Sequence, residues 1–142
     1  MNTITSLHSI NKHSLAILIH RVSIGVLMLF HGFYKLSNGV NWIIEILASK
    51  GLPGFIAYGS YIGEIVAPIM IILGIKTRIA SAVLAATLLN AFLLMHTSDF
   101  FSTNPTNGGW QIELIFLYFS GAVLLIITGG GKYAVTTKTQ YD

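Results

Sequence analysis

The stretch LAILIHRVSIGVLMLFHGFYKL, residues 15–36, decides how the chain folds. It is apolar almost throughout and long enough to cross a bilayer, which takes about 20 mostly apolar residues. Yet it contains Arg21, His31 and Lys35. On a helix that turns about 100° per residue, Arg21, Gly25, Met28, His31, Gly32 and Lys35 share an arc of roughly 120°. The opposite arc holds Val22, Val26, Phe30 and Phe33, which suit acyl chains. One stripe therefore carries the charges and both glycines. Glycines allow a second helix to come close, and the charges need partners on it.

Working outward, further apolar runs cover residues 55–75, 77–95 and 110–128. They are continuous rather than alternating, so helices are the economical reading and a barrel is not. The chain is 54% apolar and 9% charged, where a soluble domain carries roughly 25% charged residues. The expected fold is therefore an all-α membrane protein, a four-transmembrane-helix bundle forming one domain over residues 1–142. The first apolar run is too long for a secretory signal, so a retained span is expected.

The connections are unequal. Within residues 37–54, the segment NWIIEILAS (41–49) reads as a short interfacial helix, with Asn41 as N-cap, Gly51 as stop and Pro53 as breaker. Residues 74–78, GIKTR, form a tight basic hairpin between the second and third runs. Residues 97–109 are polar, with turns expected at Asn104-Pro105 and Asn107-Gly108-Gly109. GGGKY, residues 129–133, ends the last run. Lys12, Lys76, Arg78, Lys132 and Lys138 fall on one side and Lys50 on the other, which puts both termini and the hairpin in the cytoplasm.

Absences narrow the chemistry. With no cysteine, the chain supplies neither a thiol nucleophile nor a thiolate metal ligand. Its histidines show no zinc or haem spacing, so no metal site is expected. There is no phosphate loop, and nucleic-acid binding has no support, because topology already accounts for the few basic residues.

The informative side chains are those that lipid excludes. Ionisable groups within spans cost a few kcal/mol each and normally meet partners in the interior. Arg21, His31, Lys35, Glu64, His96 and Glu113 are the candidates for a buried polar cluster or ligand site, with Asn90 a further polar group. Gly59, Gly63 and Ala67 form a small-residue stripe beside Glu64, complementary to Gly25 and Gly32, and Pro68 lies one turn further on. Glu113, Leu117, Ser120 and Leu124 share a face of the fourth run. By depth, Lys35 or His31 is expected to meet Glu113, and His31 to meet Glu64. Arg21 lies about 21 Å along the axis from Lys35. The plainer reading lets Arg21 and Lys35 snorkel to the two surfaces, and makes Trp42, Trp110 and Tyr118 interface or packing aromatics.

The motifs are RVSIG (21–25), HGFYKL (31–36), Gly63-Glu64 with Pro68, LGIKTR (73–78), Gly108-Gly109 with Glu113-Leu114, and GGGKY (129–133). Together they resemble the DoxX family of small bacterial membrane proteins, over about residues 15–135. GGGKYA stands where relatives often show Gly-Pro-Gly-x-x-Ser, a departure expected to spare the buried positions. The resemblance implies a four-helix bundle in the bacterial inner membrane. The family takes its name from a subunit of a terminal quinol oxidase, and a related branch forms part of thiosulfate:quinone oxidoreductase.

The leading expectation is a membrane subunit of a redox system, binding a quinone or similar lipophilic ligand. Glu64, His31 and Lys35 would then face the ligand's carbonyls, with Arg21 as electrostatic support. A protein partner would carry the redox centre, since the chain has no evident electron carrier, and a homo-oligomer is an alternative assembly. Two other readings compete. One is a small-solute transporter, against which stands the lack of inverted-repeat symmetry. The other is a structural anchor or assembly factor whose buried charges only specify the fold.

Overall fold

The computed structural model describes residues 2–136, with side chains from residue 12 onward. Lys138, counted above for orientation, lies outside the described residues. The described chain is all-helical apart from one isolated bridge between Thr103 and Trp110. Helix α1 is Asn2–Asn38, α2 is Asn41–Ser49, α3 is Gly54–Leu73, α4 is Thr77–Asp99 and α5 is Glu113–Thr128. Three of them are long and apolar enough to cross a membrane: Lys12–Asn38 within α1, then α3 and α4. Helix α5 is apolar but has only 16 residues, shorter than the run 110–128 expected from sequence. The turns of the preceding loop take up its first residues.

Helix α1 buries most of the stripe that the wheel marks, but His31 at its edge is exposed and Lys35 is half-buried. Arg21, Ile24, Gly25, Met28 and Gly32 are buried, while Val22, Val26, Phe30 and Phe33 are exposed. The buried side meets α3. A Cβ on Gly25 would meet the Ile72 side chain, and one on Gly32 would run into the Glu64 carbonyl. Gly63 faces α4 instead, against Thr87. Gly59 departs from expectation, because nothing lies within 4 Å of the place a Cβ would take. It sits in the first turns of α3, where that helix borders a cavity rather than another backbone.

Helix α3 is not uniform. It opens with a 3-10 turn, Gly54–Tyr58, and passes through a π-helical turn, Ile62–Val66, before regular α-helix resumes at Ala67. Pro68 has no N–H to give the Glu64 carbonyl, and the Ala67 N–H reaches five residues back to Ile62. The extra residue in that turn accommodates the missing proline N–H. Glu64 sits inside this turn. Helix α4 also ends irregularly, through a π turn at Phe92–His96 and a 3-10 turn at Thr97–Asp99.

The core joins Ile17, Ile24 and Met28 of α1 to Ala67 and Ile71 of α3, Leu84 and Leu88 of α4, and Ala122 and Leu125 of α5. The packed face of α5 is therefore Tyr118, Gly121, Ala122 and Leu125, because small residues there let His20 and Ile24 approach. The face sharing Glu113, Leu117, Ser120 and Leu124 is exposed. Helix α2 folds over one end. Its Ile43 and Leu47 form a second cluster with Val40 and Ala57, backed by Leu94. Val40 precedes its first turn and Asn41 makes no capping bond. Gly51, at φ +71°, ends it, with Leu52 N–H donating to the Leu47 carbonyl at 2.9 Å. Turns in the 100–112 loop form as expected: Thr106 N–H donates to Asn104 Oδ1 (2.9 Å) and Gly109 N–H to Asn107 Oδ1 (3.0 Å).

Gly32→Ala should push α1 off α3 at Glu64 and cost about 1–3 kcal/mol. Gly59→Ala has free space and should leave stability unchanged or slightly raised. Thermal unfolding of the detergent-purified pair checks this.

Candidate functional site

The close approach of α1 and α3 at Gly32 carries Lys35, one turn further along α1, to Glu64. The Lys35 ammonium and the Glu64 carboxylate form an ion pair through Oε1. Glu64 is buried at 6% exposure, and its other oxygen, Oε2, has no hydrogen-bond partner among the described residues. The ammonium also lies 5.9 Å from the centre of the Trp42 ring, within cation–π range. Tyr61 hydroxyl donates to the Lys35 carbonyl at 3.2 Å, tying α3 to the end of α1.

The pair opens onto a cavity of about 620 Å³. Its polar lining is His31, Tyr34, Lys35, Glu64, His96, Gln111 and Tyr118, and its apolar lining includes Met28, Leu88, Leu114 and Ile115. The His31 and Tyr118 rings meet edge to face, centroids 5.9 Å apart. His96 Nδ1 is 3.0 Å from Asp99 Oδ2, which orients its ring by a local contact within α4. Four of the six polar candidates thus border one space: His31, Lys35, Glu64 and His96.

Two candidates go elsewhere. Glu113 is exposed in the first turn of α5, where a carboxylate suits the positive end of the helix dipole, and it lies against the Gly109 backbone. The expected pairing of Lys35 or His31 with Glu113 does not form, because the α1 charges follow the glycine stripe onto α3. Glu64 likewise pairs with Lys35 rather than His31.

Arg21 is 1% exposed and does not snorkel. Its Nε donates to the Ile71 carbonyl (2.9 Å), Nη2 to the Ile72 carbonyl (2.9 Å) and Nη1 to the Gly130 carbonyl. Ile71 and Ile72 belong to the last turn of α3, whose carbonyls lack the regular i+4 partner, although Ile71 also accepts from the Gly74 N–H (3.2 Å). A fixed cation there satisfies those acceptors and the negative end of the helix dipole together. Gly130 brings in the segment after α5, which also bonds the hairpin: Val135 N–H to the Leu73 carbonyl (3.2 Å) and Lys76 N–H to Thr136 Oγ1 (2.9 Å). The GGGKYA departure therefore does touch buried positions, since Gly129 and Gly130 are both buried. Arg21 is a structural clamp remote from the cavity.

Sequence reasoning gave Tyr118 and Trp42 to packing, and it passed over Tyr34 and Gln111. The available signal was that Tyr118 falls on the same helical face as Gly121, Ala122 and Leu125, the face small enough to pack inward. Among the described residues, no group of three or more His, Asp or Glu side chains could hold a metal ion.

The DoxX family profile matches residues 16–97, more than half of the chain and all of the α1–α3 contact described above. The chain belongs to the DoxX family. A Bacillus subtilis (strain 168) protein named "Putative oxidoreductase CatD" is 29% identical over 112 residues, covering 79% of this chain and 78% of that protein. No solved structure matches the chain significantly. The matched DoxX region contains Arg21, His31, Lys35, Glu64 and His96, whereas Tyr118 and the Gly130 clamp lie beyond it.

Two outcomes test this geometry. Lys35→Met alone should cost about 3 kcal/mol by stranding a buried carboxylate, and Lys35→Met with Glu64→Leu should recover most of that loss. Arg21→Lys keeps the charge but loses the fork, so its thermal midpoint should fall between wild type and Arg21→Met. Chemical and thermal denaturation in detergent measure both.

Proposed function

We propose that this DoxX protein is an inner-membrane subunit of a redox system that binds a quinone or similar lipophilic ligand in the cavity beside Glu64. The observation that carries the reading is the buried Lys35–Glu64 ion pair lining about 620 Å³ of largely apolar space, with one carboxylate oxygen left without a partner. That volume falls within the range of roughly 300–1,000 Å³ typical of small-molecule sites, which combine apolar walls with a few converging polar groups. A quinone ring fits this donor set. Lys35 and His31 would donate to one carbonyl, Glu64 would hold a proton near the other, and Tyr118 and Met28 would pack on the ring. A quinone supplies reversible two-electron, two-proton chemistry when bound; this chain's part is to orient it, exclude water and hold the proton at Glu64. The oxidoreductase name of the Bacillus subtilis relative supports the same direction.

In this reading α1, α3, α4 and α5 form one four-span transmembrane domain, with α2 lying at the outer interface and both termini in the cytoplasm. Lys76 and Arg78 of the hairpin then face inward and Lys50 outward, as the positive-inside rule asks. A partner protein carrying a redox centre would deliver or take the electrons.

Purified protein titrated with a short-chain quinone should bind it saturably. Glu64→Gln should weaken binding by about tenfold or more, the loss of roughly 1.4 kcal/mol. Wild-type protein that binds no quinone, or a Glu64→Gln variant that binds as tightly, would rule the reading out. If the pair serves only as a fold specifier in an anchor, the Lys35→Met, Glu64→Leu double variant would instead keep full function in cells.

A further inference from the structure

The Lys35–Glu64 pair borders two cavities, and the second is smaller and is lined by different elements. It measures about 180 Å³ and lies beneath α2, between the start of α3 and the end of α4. Lys35, Glu64 and Ala91 line both spaces, so the ion pair is part of the partition between them. Beyond that pair, the polar lining of the smaller cavity is Ser60, Thr87 and Asn90 set in an otherwise apolar wall, and no other titratable group among the described residues borders it. On the opposite side, His31 of α1, His96 of α4 and Tyr118 of α5 face the larger cavity alone.

The hydroxyls are already committed in a telling direction. Ser60 Oγ donates to the Ala57 carbonyl (2.7 Å), and Thr87 Oγ1 donates to the Val83 carbonyl (3.0 Å). Each keeps its acceptor lone pairs, and Asn90 offers a donor and an acceptor. Water fits the polar part of this wall, donating to the hydroxyl oxygens and bonding Asn90, next to the Glu64 carboxyl, whose Oε2 is shielded from solvent and has no protein partner. The space exceeds the ~10–15 Å³ that one water requires by enough to hold several. A buried acceptor without a partner is otherwise costly. Gly59 edges the same cavity with open space above its Cα, so no side chain obstructs it there.

We propose that this smaller cavity is a water-filled path by which Glu64 exchanges protons with the aqueous phase on the α2 side, separate from the cavity that takes the lipophilic ligand. Water passes a proton to the Glu64 carboxyl or removes one from it, and the excess charge moves through the water and not through the ligand site. Service to a quinone rests on the function proposed above; the path itself does not.

The absence of native cysteine makes the test clean. Single variants Thr87→Cys and Asn90→Cys, reconstituted in vesicles, are treated with a water-soluble cationic methanethiosulfonate. Both should react within about tenfold of the exposed loop variant Ser102→Cys and about a hundredfold faster than Leu89→Cys, which faces outward from α4, because only hydrated thiolates react. Adding Gly59→Leu should slow both by about tenfold by filling the cavity, while a short-chain quinone should leave both rates unchanged. Rates as slow as Leu89→Cys, or rates indifferent to Gly59→Leu, overturn the path. Labelling that persists in a protein unable to bind quinone removes the function and leaves the path standing.

Discussion

Two helices touch along a line where one of them has no side chains to keep them apart. Gly25 and Gly32 of α1 bring its backbone against Pro68, Glu64 and Ile72 of α3. Both charged pairings of α1 depend on that approach. At one end it sets Arg21 under the last carbonyls of α3, and at the other it sets Lys35 against Glu64. A bulkier residue at position 32 would meet the Glu64 carbonyl itself, on the residue that carries the ion pair. In an apolar medium an unpaired charge or carbonyl has no water to turn to. The contact and the pairings therefore stand or fall together.

The two charged ends of α1 do different work. Among the described residues Arg21 hydrogen-bonds to carbonyls alone, in a buried clamp that joins α1, the end of α3 and the segment after α5. Such a site is geometrically complete and leaves no room for a ligand. The Lys35–Glu64 end is incomplete. One carboxylate oxygen has no partner, the local helix is a π turn, and cavities lie on both sides. Irregular helix, unsatisfied polar atoms and empty volume together mark the part of the molecule not optimised for stability alone.

The ionisable residues of α1 were legible as a set because the helical period alone puts them on one stripe. Their partners were not, because axial depth leaves open which neighbour faces which. Depth matches Lys35 to Glu113, yet Glu113 lies exposed in the first turn of α5 and Lys35 follows Gly32 to α3. Arg21 looked able to reach water along its stem, but the carbonyls at the end of α3 are closer and lie in its fork. Gly59 read as a packing residue by its spacing from Gly63, and open space beside it shows how far that inference extends.

The sequence by itself determined that the chain is helical, that it carries four apolar runs, of which three form helices long enough for a bilayer, and which face of α1 packs against α3. Hydrophobic run length and the 3.6-residue period are local properties, carried by each segment whatever its neighbours do. Only the tertiary structure decided which charges meet, that Arg21 is a clamp, and that Glu64 borders two separate spaces. Those facts depend on the relative rotation of helices around Gly32, Gly63 and Gly121, where close packing between distant parts of the chain chooses among arrangements that local pattern leaves equal.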